Sequence, residues 1–428
     1  MKYQRIILSL ALCCLPYLYS MAQSVEECQR MAEANYPLIK RYDILRQTEQ
    51  FTLSNIQKGW LPQISASAQA TYQSDVVSLP DALKQMMQQM GAEVKGLTKD
   101  QYRIAVDVNQ TIYDGGAMKA KANVTKAQTS VQQAQNDVEL YALRDRVNQL
   151  YFSILLVDDK LLLNQEMQTL LQANEDKLTA MLKGGIAMEC DRDALRAERL
   201  SARQQATLLT TQRETLLRVL SLLCGCSDGK LIEPVCPAVD AVGESSANAR
   251  PELAYFAQRK RLLDSQEAAL KTALMPRLSV FAQGFVGYPG YNMYEDMFSH
   301  KWSLNGMIGA RLTWNIGALY THKNDRQKLS MQRQEIDTAY DTFLLNQQLQ
   351  HAQEEGNISA YQKMMAEDDE IISLRSGVRK AAESKLSHGI VDIASLVKEI
   401  TAENQARLNK SSHEIEMLSH MFKLRYVQ

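Results

Sequence analysis

Leu140, Leu143, Val147, Leu150, Ile154, Val157 and Leu161 recur at alternating intervals of three and four residues, the spacing that lays one apolar stripe along a helix. The stretch that holds them, Ala117 to Lys183, contains neither proline nor glycine. As a single helix it would run on the order of 100 Å. A second stretch, Ala318 to Ser387, is similar in length but less regular, with Gly356 and Gly377 inside it. Each leads through a glycine-marked turn, at Gly185 and Gly389, into a returning helix predicted over Glu189 to Leu223 and Ile390 to Arg425. Antiparallel hairpins this long cannot enclose one compact core, so they must pack side by side with neighbours.

A period of two replaces the helical one elsewhere. In Arg103 to Tyr113, Ile104, Val106, Val108 and Ile112 alternate with Arg103, Asp107, Asn109 and Thr111. In Trp302 to Asn315, Leu304, Ile308, Ala310, Leu312 and Trp314 lie opposite Asn305, Arg311, Thr313 and Asn315. Partner strands are predicted at Gln63 to Tyr72 and Arg277 to Tyr288. Such segments suit a half-buried sheet in water, and equally a barrel with lipid outside and a polar lumen. On a tilted strand Trp302 and Trp314 would stand roughly 28 Å apart in height, matching the two aromatic girdles of an outer-membrane barrel. The other reading makes them core tryptophans of a soluble sheet. Four strands cannot close around a lumen, because about eight is the practical minimum. Either the sheet packs on helices, or several chains share one barrel. The intervening loops, Asp75 to Asp100 and Pro289 to Lys301, are hairpin loops, the first with a short Met-rich amphipathic segment.

These elements occur twice in one order. The interval from Pro37 to Pro251 equals that from Pro62 to Pro276, so two stretches of equal length each precede a strand pair and a long helical hairpin. The chain therefore reads as residues 23–235 and 236–428, two structural repeats, after a leader at 1–22. In the leader Lys2 and Arg5 precede an apolar run from Ile6 to Leu15, and Ser20-Met21-Ala22 supplies small residues for cleavage before Gln23. That run is too short to span a bilayer. The residue before Cys13 is Leu12, not a small one, which argues against a lipoprotein.

Composition narrows the function. Across 428 residues there are only 9 prolines and 19 glycines, and the formal net charge of -1 gives no pull toward nucleic acid. Of seven cysteines, Cys28, Cys190, Cys224, Cys226 and Cys236 remain after the leader. Either Cys236 bridges to Cys224 or Cys226, or these are free buried thiols. Their spacing lacks a second C-x-x-C or a nearby His, so no metal site is expected. His413 and His420 stand about 10 Å apart along one helix face, too far to share a metal. No hydrolase, zincin or P-loop motif is present, so no catalytic residue and no cofactor is expected.

Several short motifs resemble those of the TolC-type outer-membrane efflux proteins. They are Asn35-Tyr36-Pro37 and Arg250-Pro251-Glu252, Leu61-Pro62-Gln63-Ile64, Ile112-Tyr113-Asp114-Gly115-Gly116, and Asp193-Ala194-Leu195-Arg196-Ala197-Glu198. Weaker second copies are Trp314-Asn315-Ile316-Gly317 and Gly389-Ile390-Val391-Asp392. The resemblance covers Val25 to the C-terminus. It implies a mainly α fold with a β-barrel part: a homotrimer whose twelve-stranded outer-membrane barrel continues into a periplasmic α-helical barrel. It also implies a passive duct in a tripartite efflux or type I secretion system, with outer-membrane lipid, a periplasmic adaptor and an inner-membrane transporter as partners. The competing class is a periplasmic coiled-coil adaptor or structural protein.

In that frame the turns near Gly185 and Gly389 would form the periplasmic entrance, with Asp191, Asp193 and Asp392 as acidic candidates. Many members of the family carry paired acidic residues at the second turn. Here Asp392 and Ser395, or in a shifted alignment Ser395 and Lys398, take those places, so the acidic ring is incomplete. Asp392 also suits the N-cap of the returning helix. Asp107, Asn109, Arg311, Asn315 and Gln283 would wet the lumen.

Overall fold

The computed structural model describes residues 22–91, 93–185, 187–226, 232–237, 250–388 and 390–427. The leader expected at 1–22 lies outside the described residues except for Ala22, and Gly389 lies outside them as well. In chain order the elements are β1 (Ala22–Gln23), α1 (Val25–Asn35), α2 (Ile39–Gln57), β2 (Gln63–Tyr72), α3 (Asp81–Gln89), β3 (Asp100–Tyr113), α4 (Ala117–Lys183) and α5 (Glu189–Cys224). They continue with β4 (Glu233–Pro234), α6 (Pro251–Thr272), β5 (Arg277–Tyr288), α7 (Met293–Asp296), β6 (Ser303–Thr313), α8 (Ala318–Ser387) and α9 (Ile393–Val427). The long helices α4 and α8 and the strands β2 and β5 start and stop where the apolar periods and the proline and glycine punctuation place them, whereas α9 begins at Ile393, not Ile390, behind the cap of Asp392.

Two compact units share these elements. One comprises Met1–Tyr42, Gln135–Leu253 and Tyr340–Gln428, the other Asp43–Ala134 and Ala254–Ala339. Each unit draws on both halves of the duplicated chain, so the spatial division cuts across the repeats at 23–235 and 236–428.

The first unit is helical. The predicted seam of α4 is its spine: Leu143, Val147 and Ile154 are buried with Leu217 and Leu220 of α5, Ile415, Leu418 and Phe422 of α9, and Val25, Cys28 and Ala32 of α1. The two repeat openings serve one purpose here. Asn35 donates from Nδ2 to the carbonyls of Leu222 and Leu223 (3.3 and 3.2 Å), closing the C-terminus of α5. Arg250 likewise donates to the Tyr426 carbonyl at the end of α9 (2.9 Å). The last carbonyls of a helix have no partner within it, so each repeat ends its returning helix with a side chain from its own opening. Of the two alternatives for the cysteines the structure has the free thiols, although Cys190 and Cys236 are exposed. Cys224 is buried against Cys28, its Sγ 3.4 Å from the Cys28 carbonyl, while Cys236 is exposed and turns toward Pro237.

The second unit holds one antiparallel sheet in the order β2-β3-β5-β6, so the central pair joins the two repeats. Ser65 faces Asp107, Asp107 faces Gln283 and Gln283 faces Met307, which sets every strand in register across the sheet. At the strand-to-helix junction Gly115 and Gly116 have φ of +67° and +84°, and the Asp114 carboxylate accepts the Gly116 and Met118 N–H groups (2.8 and 2.6 Å). The Asp-Gly-Gly motif is thus a left-handed break that starts α4. The two hairpin loops pack through Leu97, Tyr288 and Met297. The Met-rich segment forms α3, with Met86 and Met90 exposed.

The α4 seam makes a quantitative expectation. Leu220→Ala removes a fully buried side chain from the α4–α5–α9 contact and should cost about 3 kcal/mol. Urea unfolding followed by far-UV circular dichroism measures it, and a loss below about 0.5 kcal/mol, the surface-substitution range, would contradict the packing described.

Candidate functional site: the sheet faces and the helix turns

Strand register sorts the sheet into two chemically different faces. Ile64, Ala66, Ala68, Ile104, Val106, Val108, Leu278, Val280, Ala282, Val286, Leu304, Ile308, Ala310 and Leu312 share one face by alternation and pairing. That face is uncovered: Leu304, Ile308 and Leu312 are 81%, 78% and 70% exposed. Trp302 and Trp314 sit one residue beyond the two ends of β6, on the parity of this apolar face, and both are exposed. Trp302 stacks on Tyr102 with ring centroids 6.3 Å apart, and Trp314 donates its indole N–H to the Leu274 carbonyl at 3.0 Å. Among the described residues β2 and β6 are each paired on one side only, leaving two open edges.

The opposite face carries Gln63, Ser65, Arg103, Asp107, Asn109, Gln283, Asn305 and Arg311. Arg103 donates to the Gln283 Oε1 at 2.6 Å, and Gln283 donates in turn to Asp107. Asp107, Asn109 and Arg311 therefore stand where the alternation put them. Asn315 does not: β6 ends at Thr313, and Asn315 lies in the turn into α8, its carbonyl accepting the Ala318 N–H at 3.3 Å. The polar face also holds two residues that alternation missed. Phe281 and Phe285 lie under Arg311 and Arg103, with guanidinium-to-centroid distances of 4.9 and 3.8 Å. A cation over an aromatic face is attractive, so these rings act as platforms for the two arginines. Their apolar character hid their parity in the sequence.

The helix turns belong to the first unit. Gly185 ends α4 with φ of +74° and open space where a side chain would stand. Asp191 accepts the Met188 N–H at 3.2 Å and so caps α5, while Asp193 is exposed and takes the Arg192 guanidinium at 2.8 Å. Asp392 accepts both the Ser395 hydroxyl (2.5 Å) and the Ser395 N–H (3.0 Å), the geometry of an N-cap on α9. Those two hydrogen bonds hold its carboxyl below the ordinary range. Lys398 is exposed one turn further on. Beneath the turns Leu171, Leu178 and Leu195 of the first hairpin pack with Ile393, Leu396 and Ile400 of the second.

A charged cluster above this core was not legible in the sequence. Glu403 is buried between Arg379 and Arg407; Arg407 donates to it at 2.9 Å and also reaches Glu166 of α4 at 3.5 Å. Arg379 holds Glu403 and, at 2.6 Å, Glu383. Burial pushes the Glu403 carboxyl up, but the Arg379 and Arg407 hydrogen bonds outweigh it and bring the net shift below the ordinary value. Arg199–Glu175 (2.9 Å) ties the arms of the first hairpin and Arg375–Glu399 (3.7 Å) those of the second. Among the described residues no cluster of His, Cys, Asp and Glu could hold a metal ion, and no helix is long and apolar enough to cross a membrane.

No protein-family profile matches the chain, and no curated protein matches it by sequence. Solved structures do share its fold. It is similar to CusC, a protein studied for folding and transmembrane channel formation, at 13% identity and a TM-score of 0.67, covering 94% of this chain and 91% of that one. The outer membrane protein VceC of Vibrio cholerae matches at 11% identity and a TM-score of 0.64 over 94% of both chains. The CmeC outer membrane channel of Campylobacter jejuni matches at 13% identity and a TM-score of 0.64 over 94% of this chain and 85% of that one. The fold is that of these outer-membrane proteins.

Two outcomes follow from the turn geometry. Because the Glu403 carboxyl is lowered in the fold, its contribution is present above the ordinary carboxylate range and is lost as pH falls through the folded value. Glu403→Gln should cost about 3 kcal/mol at neutral pH and flatten the acid dependence of amide exchange in α9; an unchanged acid profile would contradict this. Asp392→Ala should speed exchange at the Ser395 N–H, and an unchanged rate would contradict the cap.

Proposed function

We propose that this chain is one protomer of a TolC-type outer-membrane channel, a passive duct for an efflux or type I secretion system and not an enzyme. The observation that carries the reading is the open four-stranded sheet, with an uncovered apolar face on one side, polar groups on the other, and two edges unpaired among the described residues. In water such a face is an aggregation liability and such edges are templates for pairing. In a bilayer the same face meets lipid, and edges are tolerated only if the sheet closes. Three copies joined β6 to β2 would supply twelve strands, enough for a lumen.

In that trimer Asp107, Asn109 and Arg311 line the wetted interior, and Trp302 and Trp314 mark the two interfaces of the apolar band. The turns at Gly185 and Gly389, with Asp191, Asp193, Asp392, Ser395 and Lys398, form the periplasmic entrance. There a periplasmic adaptor, itself joined to an inner-membrane transporter, would dock. The duct needs no cofactor, because it only positions charge and excludes lipid. The fold shared with CusC, VceC and CmeC supports the assignment. The exposed apolar face weighs against a soluble periplasmic adaptor, which would have nothing to cover it.

Membrane fractionation tests the proposal. The protein should appear in the outer membrane as a heat-modifiable oligomer. Ile308→Lys, at the middle of the apolar face opposite Ala282, should cost about 2–4 kcal/mol and deplete that oligomer, while Asn109→Ser on the polar face should spare it. A soluble periplasmic pool of the wild-type chain would overturn the reading.

A further inference from the structure

We infer that Cys28 and Cys224 form a disulfide in the mature protein, stapling α1 onto the C-terminal end of α5. The inference rests on the envelope location proposed above, since a lasting disulfide needs an oxidising compartment.

Both cysteines are buried, Cys28 fully and Cys224 nearly so, in the contact between α1 and α5. Val25, Cys28, Ala32 and Asn35 fall on one face of α1, and Leu217, Leu220 and Cys224 on one face of α5. The Cys224 Sγ lies 3.4 Å from the Cys28 carbonyl, which brings the two residues side by side in the α1–α5 contact, both as free thiols here. The hydrogen bonds from Asn35 to Leu222 and Leu223 hold the same two helix segments together one step further along. The pair is thus aligned by two independent features, the apolar contact and the helix cap.

The chemistry requires an oxidant, and its class is a protein or small-molecule disulfide. One Cys thiolate attacks a sulfur of that disulfide, forming a mixed disulfide and releasing one oxidant thiolate. The second Cys thiolate then attacks the protein sulfur of the mixed bond, forming Cys28–Cys224 and releasing the oxidant's remaining sulfur as a thiolate, so that a protein oxidant leaves as its dithiol and a small-molecule disulfide as two thiols. Two protons and two electrons leave the pair, and the oxidant takes both electrons. Cys28 is fully buried and Cys224 nearly so, which keeps a disulfide oxidant from either sulfur once the contact has closed. Oxidation therefore takes place while α1 docks, before the contact closes. The bond closes a very long loop between an early helix and the end of the first hairpin, the case in which a cross-link restricts the unfolded chain most. Cys190 at the helix turn and Cys236 stay outside the pair, both being exposed.

The test is to isolate the full-length protein from the envelope fraction with an alkylating reagent present, and to map its proteolytic peptides without reduction. The expected result is a linked pair of peptides containing Cys28 and Cys224. Reducing agent should then lower the thermal midpoint of the wild type by about 5 °C or more and leave Cys224→Ala unchanged. Cys236→Ser should keep the wild-type response. Full alkylation of Cys28 and Cys224 after unfolding without reduction, in protein recovered from the envelope, overturns the inference, and so does a bond from either to Cys236. If the protein is instead found in the cytoplasm, the location fails on its own. The unfolded chain is then refolded with oxidised glutathione: formation of the Cys28–Cys224 link sustains the pairing, and its absence overturns it.

Discussion

An antiparallel sheet of four strands whose apolar face is bare and whose edges are both unpaired among the described residues is the constraint on which the rest depends. Backbone N–H and C=O groups at an edge must find partners, and a face of Ile, Val and Leu must leave water. The described residues of one chain do not meet these demands. No described helix packs across that face, and among the described residues no further strand pairs with β2 or β6. Sharing the sheet between copies, as proposed above, answers both demands at once. The polar face follows from the same alternation, because a strand that sends Ile308 to the apolar face must send Met307 and Gly309, with Arg311 beyond them, the other way.

The helical unit solves a different problem with the same economy of parts. Hairpins of this length have no globular core, so their stability comes from seams: the apolar seam of α4 in its middle, and the smaller cluster under the turns. Between them the buried carboxylate of Glu403 is held by two arginines from α8 and α9, one of which also reaches α4. A buried charge network of this kind is sensitive to loss of any member. It makes the turn region a segment that can be weakened by one substitution without disturbing the seam above.

Local periodicity made the elements legible, and long-range contact hid the rest. Ala117–Lys183, Ala318–Ser387, Gln63–Tyr72 and Arg277–Tyr288 were readable because glycine and proline punctuate them and the period changes at their ends. Asn315 was misplaced because polar alternation runs on past the hydrogen bonds that define β6. Phe281 and Phe285 were invisible as members of the polar face, since only the register with β3 and β6 shows which way they point. The Glu403 cluster and the Cys28–Cys224 contact join residues far apart in sequence, and nothing local marks them. The cap of Asp392 on α9 was anticipated; the Asn35 and Arg250 caps explain why the repeat openings resemble each other.

The most direct check on the central constraint is the mass of the detergent-extracted particle by native mass spectrometry. A shared barrel predicts three chains per particle, with no folded monomer surviving once the trimer is dissociated gently. A stable, monodisperse monomer that retains the β signal in infrared spectroscopy would contradict the account, because it would mean that one chain closes or covers its own sheet.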